Sequence, residues 1–255
     1  MSEITRKWGR FEELRPDQLQ EIVDTTPVAF WPLGLLEHHG WALPVGFDGV
    51  KAERLCHRMA AVTGGVVLPC MWWGSHGGHG EFNWTFYQVP EVGERALEVT
   101  VRKLVEYGFR AIVLYAGHYP WQGVLDKVAA PLREEFPKVL FIWGFECTIG
   151  GEDLRDAPGD HAARWETAYG LALLPELVDM TALRGGRDDR AWSHSNPPPE
   201  ANRYPGIDFD ANSPLFAQMG EDARKASAEE AEYYLKRVEE SVTTRIREHL
   251  NNETK

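Results

Sequence analysis

From Pro27 to Val50 the chain runs PVAFWPLGLLEHHGWALPVGFDGV. Its first part, Pro27 to Leu36, is apolar and has the branched and aromatic content of a strand buried on both faces. The character then changes within a few residues to Glu37, His38, His39 and Gly40, and later Asp48. In an extended backbone, residues i and i+2 project to the same side, so Glu37 and His39 face one point together. Asp48 follows a loop that contains glycine and proline and is long enough to fold back. Two carboxylates and an imidazole at the end of a buried strand make half of a site for one or two divalent metals.

Working outward, the same strand-then-loop pattern returns. Val50, Leu55, Met59 and Val62 recur at helical spacing, which predicts an amphipathic helix from Asp48 or Gly49 to about Val62. A short strand at 66–69 follows, then a glycine- and tryptophan-rich loop over 70–90. Further helices are expected over 92–107, where Glu98 and Arg102 form an i,i+4 pair, and over 120–135, opened by Pro120 and kinked at Pro131. Strands are expected at 110–115 and 139–143. Beyond an irregular stretch at 144–160, a helix starts near His161, a long surface excursion occupies 183–219, and a last helix covers about 221–250. Residues 1–26 read as polar, with one short helix over 15–23.

Strand and helix alternate through the first 175 residues. That order predicts the α/β class: a mainly parallel sheet with helices on both faces, in a single domain over 1–255. Ligands bind such sheets beyond the carboxyl ends of the strands. The loops at 37–48, 74–85, 116–122 and 144–166 all follow strands, so they gather at one rim.

Bulk properties narrow the function. With 255 residues and 43% hydrophobic content the chain has ample material for one core. A formal charge of −12 argues against nucleic acid or anionic membrane as a partner, since both need basic surface. Cys56, Cys70 and Cys147 fit no zinc-finger spacing and read as reduced thiols. No apolar leader or spanning segment is visible, so a soluble, cytoplasmic protein is expected.

The rim loops carry Glu37, His39 and Asp48; His76 and His79; His118; and Asp160, His161 and Glu166. Carboxylates with imidazoles and no thiolate suit Zn²⁺, Mn²⁺ or Fe²⁺ at a hydrolytic site. A carboxylate between two such ions bridges them. Trp72, Trp73, Trp84 and Trp121 are candidate walls for a flat or cyclic substrate. Gly77-Gly78-His79-Gly80 is no phosphate loop, because it lacks the required Lys and Ser/Thr. Ser193-His194-Ser195 reads as exposed loop.

The run LGLLEHHGWALPVGFD, Leu33 to Asp48, resembles the signature of the creatininase (creatinine amidohydrolase) family. The resemblance extends through Ser75–Thr85, Gly117-His118 and Asp160–Thr167, in the right order. It implies a three-layer α/β/α fold, a homo-oligomer (commonly a hexamer), and two divalent ions per chain. Carried over by position, Glu37 and His118 hold one ion and His39 the other, Asp48 bridges them, and Glu166 completes the set of ligands around the second ion. His161 matches a histidine that shuttles a proton, and Tyr119 a tyrosine that contacts substrate. The implied reaction opens a small cyclic amide at its C–N bond through a metal-bridged hydroxide. Some members instead hydrolyse a C–C bond in an oxidised sugar or keto-cyclitol ring.

The chain also departs from the family pattern. Pro120 stands where creatinine-cleaving members carry a metal-binding glutamate, and the G-H-G-G-N run of many others is absent. His38 replaces the usual glutamine, and Trp41 or Ala42 the second histidine of the signature. These departures keep a third reading open, a metal-binding or scaffold member without catalysis.

Overall fold

A computed structural model describes residues 7–186, 191–192 and 197–252; the Ser193-His194-Ser195 stretch lies outside the described residues. Five strands, β1 (Trp8–Arg10), β2 (Val28–Leu33), β3 (Gly65–Val67), β4 (Ala111–Ala116) and β5 (Leu140–Gly144), form one sheet in the order β1-β3-β2-β4-β5. Every pairing is parallel. The helices are α1 (Pro16–Thr25), α2 (Phe47–Thr63), α3 (Pro90–Glu106), α4 (Trp121–Glu135), α5 (Arg164–Leu173) and α6 (Ala228–Asn252).

Side chains alternate across the sheet as a strand's period of two requires. Val28 and Phe30 of β2, with Ala111, Val113 and Tyr115 of β4, join one core that α2, α5 and α6 cover. Ala29, Trp31 and Leu33, with Ile112, Leu114 and Ala116, join a second core under α1, α3 and α4. The expected three layers are therefore present, and both central strands are buried along their whole length.

The strand order places the site. After β2 the chain crosses to β3 on one side through α2; after β4 it crosses to β5 on the other side through α4, on the opposite face. A right-handed crossover forces that change of face when the direction reverses. The crevice between the carboxyl ends of β2 and β4 is thus the switch point, where open α/β sheets bind ligands. Glycine brings the parts together there. A Cβ at Gly117 would lie 1.9 Å from the Asp48 carbonyl oxygen, and one at Gly34 would lie 2.3 Å from Gly49 Cα. Only bare backbone lets the ends of both strands meet the first turn of α2.

Three expectations need correction. The polar N-terminal segment contains β1, which pairs with β3 at the sheet edge; three half-exposed residues give no apolar signal. The last helix begins at Ala228 rather than 221, because Ala223–Lys225 forms a separate turn capped by the Asp222 carboxylate. The helix after His161 begins at Arg164, since Asp160 accepts hydrogen bonds from the backbone N–H groups of Trp165 and Glu166 at 2.8 and 3.0 Å. Pro131 lies inside α4, which continues to Glu135. Among the described residues no helix is long and apolar enough to cross a membrane.

Candidate metal centre

Glu37 leaves the end of β2, and its backbone N–H bonds to the Val45 carbonyl at 3.0 Å, closing the loop that carries His39. Asp48 sits in the first turn of α2 and Glu166 in the first turn of α5, where the positive helix end favours a carboxylate. His118 follows β4. All five side chains are buried.

Their donor atoms form two triads that share one residue. Glu37, Asp48 and His118 offer atoms within 4.8 Å of one another, and so do His39, Asp48 and Glu166. In the first, His118 Nδ1 lies 3.1 Å from Glu37 Oε2 and 3.2 Å from Asp48 Oδ2. In the second, His39 Nε2 lies 3.0 Å from Asp48 Oδ1 and 3.6 Å from Glu166 Oε2. Asp48 thus turns one oxygen to each triad.

The histidines are aimed by their far sides. A carbonyl only accepts, so a ring nitrogen against one carries the proton. His118 Nε2 donates to the His76 carbonyl at 2.9 Å, and His39 Nδ1 to the Glu37 carbonyl at 2.9 Å. His161 Nε2 donates to the His38 carbonyl at 2.9 Å, and His79 Nε2 to the Ala217 carbonyl at 2.8 Å. Each histidine therefore presents its other nitrogen to the carboxylates, an arrangement that outer hydrogen bonds impose on metal-binding imidazoles.

The electrostatics show that this cluster calls for positive charge. Burial opposes a charged Glu37, but His118, His79 and His39 outweigh it and lower its pKa to about 2. Burial likewise opposes a charged His39, yet Asp48, Glu166 and Glu37 raise it to about 9. His118 is pushed well above its ordinary value, where Glu37 and Asp48 overcome burial. Burial dominates at Glu166 and lifts it to about 8. Among the described residues no well-formed hydrogen bond reaches Glu37 Oε2 or Asp48 Oδ2, both buried. Protonation of His39 and His118, which both shifts favour, answers this demand, as divalent cations between the same atoms would. The donor set fits such ions.

His161 and Tyr119 border the same space. His161 Nδ1 is 3.9 Å from Glu37 Oε2, and the residue also forms a metal-capable group with Glu37 and His39. Burial, with His79 and His39, holds its pKa well below the ordinary value, so its inward nitrogen is a bare acceptor. The Tyr119 hydroxyl is buried without a hydrogen-bond partner among the described residues. Both line a cavity of about 340 Å³, together with Pro120, Phe145, Tyr204 and Ile207.

One expectation about the walls is overturned. None of Trp72, Trp73, Trp84 or Trp121 lines the cavity. Trp121 is buried under the sheet with its indole N–H on the Gly34 carbonyl at 3.0 Å, whereas Trp73 and Trp84 are 48% and 63% exposed. The structure also shows where the 183–219 excursion, read as a surface segment, returns. Tyr204, Ile207 and Met219 face the chain's own cavity, and Met219 exchanges backbone hydrogen bonds with His161 at 2.9 and 3.0 Å.

Of the second-loop histidines, His79 is buried with Nδ1 3.6 Å from Glu37 Oε1, while the His76 side chain is exposed and only its carbonyl serves the site. The residue reading missed Tyr87, whose hydroxyl bonds to Glu37 Oε1, and the buried pair Lys51 and Glu146. Lys51 left a trace, since it falls on the apolar face of α2; Glu146 left none.

Comparison with known proteins agrees with this geometry. The creatininase family model, described as creatinine amidohydrolase, matches residues 12–246. A creatinine amidohydrolase of Pseudomonas putida is 27% identical over 244 residues, covering 88% of this chain and 90% of that protein. A 3-dehydro-scyllo-inosose hydrolase of Thermotoga maritima is 25% identical over 180 residues, 66% of this chain and 57% of that protein. A crystal structure of creatinine amidohydrolase superposes with a TM-score of 0.71 at 22% identity, over 94% of this chain and 96% of that one. A Zn–Zn form of a creatininase variant and a Mn form of creatininase give 0.68 and 0.69 at 24% and 23% identity. They cover 93% and 95% of this chain, and 96% and 98% of their own. With a family match over nearly its whole length and carboxylate–imidazole triads at the switch point, the chain belongs to the creatininase family of metal-dependent hydrolases.

Proposed function

We infer that the protein holds two divalent ions and hydrolyses the C–N bond of a small, neutral cyclic amide. The observation that carries this reading is the pair of donor triads sharing Asp48. Glu37 and His118 serve one ion, His39 and Glu166 the other, and Asp48 both. Glu166 stands in for the glutamate that Pro120 displaces. Zn and Mn forms of related creatininases support either metal here, and Fe²⁺ suits the same ligands. Such ions supply Lewis acidity toward a carbonyl and acidify water.

The chain's own residues do the rest. His161 takes a proton at Nδ1 from the attacking water and returns it to the leaving nitrogen, held in the required tautomer by the His38 carbonyl. Tyr119 offers its unpaired hydroxyl to the substrate. Pro120, Phe145, Ile207 and Met219 exclude water from the ring.

The cavity's chemistry selects among substrates. Among the described residues no lysine or arginine lines it, so an anionic group on the side of the substrate away from the ions would find no cation there. Ring hydroxyls pressed against Pro120, Phe145, Ile207 and Met219 would also go unbonded, so the polar groups of a substrate have to face Tyr119, His161 and the carboxylates instead. The C–C reading keeps support from the inosose-hydrolase relative. The test is metal analysis with and without chelator, followed by screening of cyclic amides and keto-cyclitols. About two equivalents per chain, lost in Asp48→Asn, with ring opening of amides, is the expected result; a keto acid product from cyclitols alone would favour the alternative. Absence of any metal uptake would leave the scaffold reading.

The same reading includes a homo-oligomer. Between 73 and 92 the chain exposes Trp73, Trp84, Phe86, Val89 and Val92, an apolar surface suited to a second copy.

A further inference from the structure

Lys51 lies one turn beyond Asp48 on α2 and is 0% exposed. No other lysine or arginine is buried among the described residues. Its ammonium sits 3.0 Å from Glu146 Oε1, which also accepts the Tyr115 hydroxyl at 2.7 Å. The faces of Tyr119, Phe47 and Tyr169 enclose it, with Nζ 4.8, 5.3 and 5.8 Å from their centroids. Lys51 does not line the cavity. It stands behind the wall.

A buried ion pair is a poor stabilising device, because desolvation offsets most of its Coulombic gain. Its position explains it better. Lys51 Nζ also lies 3.8 Å from Glu166 Oε1. The other oxygen, Oε2, accepts the Ala162 N–H at 2.8 Å and faces His39. Ala162 holds a left-handed backbone (φ 50°), a conformation that costs energy in any residue with a side chain. Glu166 is therefore addressed at both oxygens: a strained N–H bonds to one, and the ammonium, ion-paired with a Glu146 that Tyr115 anchors, faces the other at 3.8 Å without a hydrogen bond. A positive charge on that side draws Oε1 away from the triad and leaves Oε2 toward His39.

We propose that Lys51, tethered by Glu146 and Tyr115, is a positioning residue that orients Glu166 and thereby sets how tightly the His39 side of the centre holds its ion. The inference rests on the two-ion reading above. Its test is a competition titration of Zn²⁺ against a chromophoric chelator, using the full-length protein. Lys51→Met alone strands a buried carboxylate, so the variant to use is Lys51→Met/Glu146→Gln, which removes both charges and keeps an acceptor for Tyr115. The expected result is a folded protein whose first equivalent binds as in the wild type and whose second is weakened about 10- to 100-fold. In a Glu166→Gln background the same pair of substitutions should cost nothing more, because the residue acted through is already altered. Two equivalents at wild-type affinity would overturn the proposal, as would equal weakening with and without Glu166. A wild-type protein that takes up no metal would instead overturn the two-ion reading, and this inference with it.

Discussion

At the scale of single residues, the site works by making each histidine one-sided. His161 is the informative case, since its inward Nδ1 suits either a proton shuttle or a ligand. The shuttle assignment predicts that His161→Ala retains both metal equivalents and lowers kcat by about 10²- to 10⁴-fold, the usual worth of general acid–base catalysis. Loss of an equivalent on metal analysis would make it a ligand. Glu37, His39, Asp48, His118 and Glu166 could be picked out as candidates in the sequence, because carboxylates and imidazoles in loops after strands stand out against apolar runs; their division between two ions came from the family resemblance, and the structure brings them together. Tyr87, Lys51 and Glu146 could not. Tyr87 and Glu146 come from irregular segments whose local pattern says nothing about direction, and Lys51 showed only as a charge on the apolar face of α2.

At the scale of elements, α2 is held against two strand ends by glycine. Gly117→Ala places a methyl 1.9 Å from the Asp48 carbonyl, so either α2 or β4 must move. The expected cost is at least the ~1–3 kcal/mol of ordinary overpacking. Metal affinity should fall as well, because Asp48 moves with the helix. Denaturant titration and metal binding on one sample check both; a drop in stability with unchanged affinity would mean that the shift spares Asp48. The layered fold was legible in the alternation of apolar strands with amphipathic helices, and the switch point follows from strand order, which sequence alone did not supply. What escaped was the edge strand β1, too short and exposed to show a period, and the cover formed by Tyr204, Ile207 and Met219. A long connection carries no local signal of the surface it returns to.

At the scale of the whole molecule, two surfaces of different character remain. The exposed apolar stretch at 73–92 predicts that Trp84→Glu lowers the mass of the particle in light scattering while leaving the monomer folded; an unchanged mass would remove that stretch from the interface. The acidic interior predicts how stability depends on pH. In the metal-free protein His39 titrates near 9 rather than 6.5, and Glu166 near 8 rather than 4.5. Both values are raised, so both groups stabilise the fold in their protonated forms and withdraw that support as pH rises. For His39 the support is complete below about 6.5 and gone above about 9. Glu37 has the opposite sign, since its value is lowered to about 2, and its support fades only as pH falls below about 4.5. A cation that replaces the protons removes the alkaline loss, and its binding releases them. For Glu166 the loss runs from about 4.5 to about 8, so the difference in Tm between metal-loaded and chelated protein should widen from about pH 5 to 9, most steeply between 6.5 and 8 where both groups titrate. A difference that stays flat across this range would mean that the ions bind away from His39 and Glu166, and the assignment of the second triad would fall.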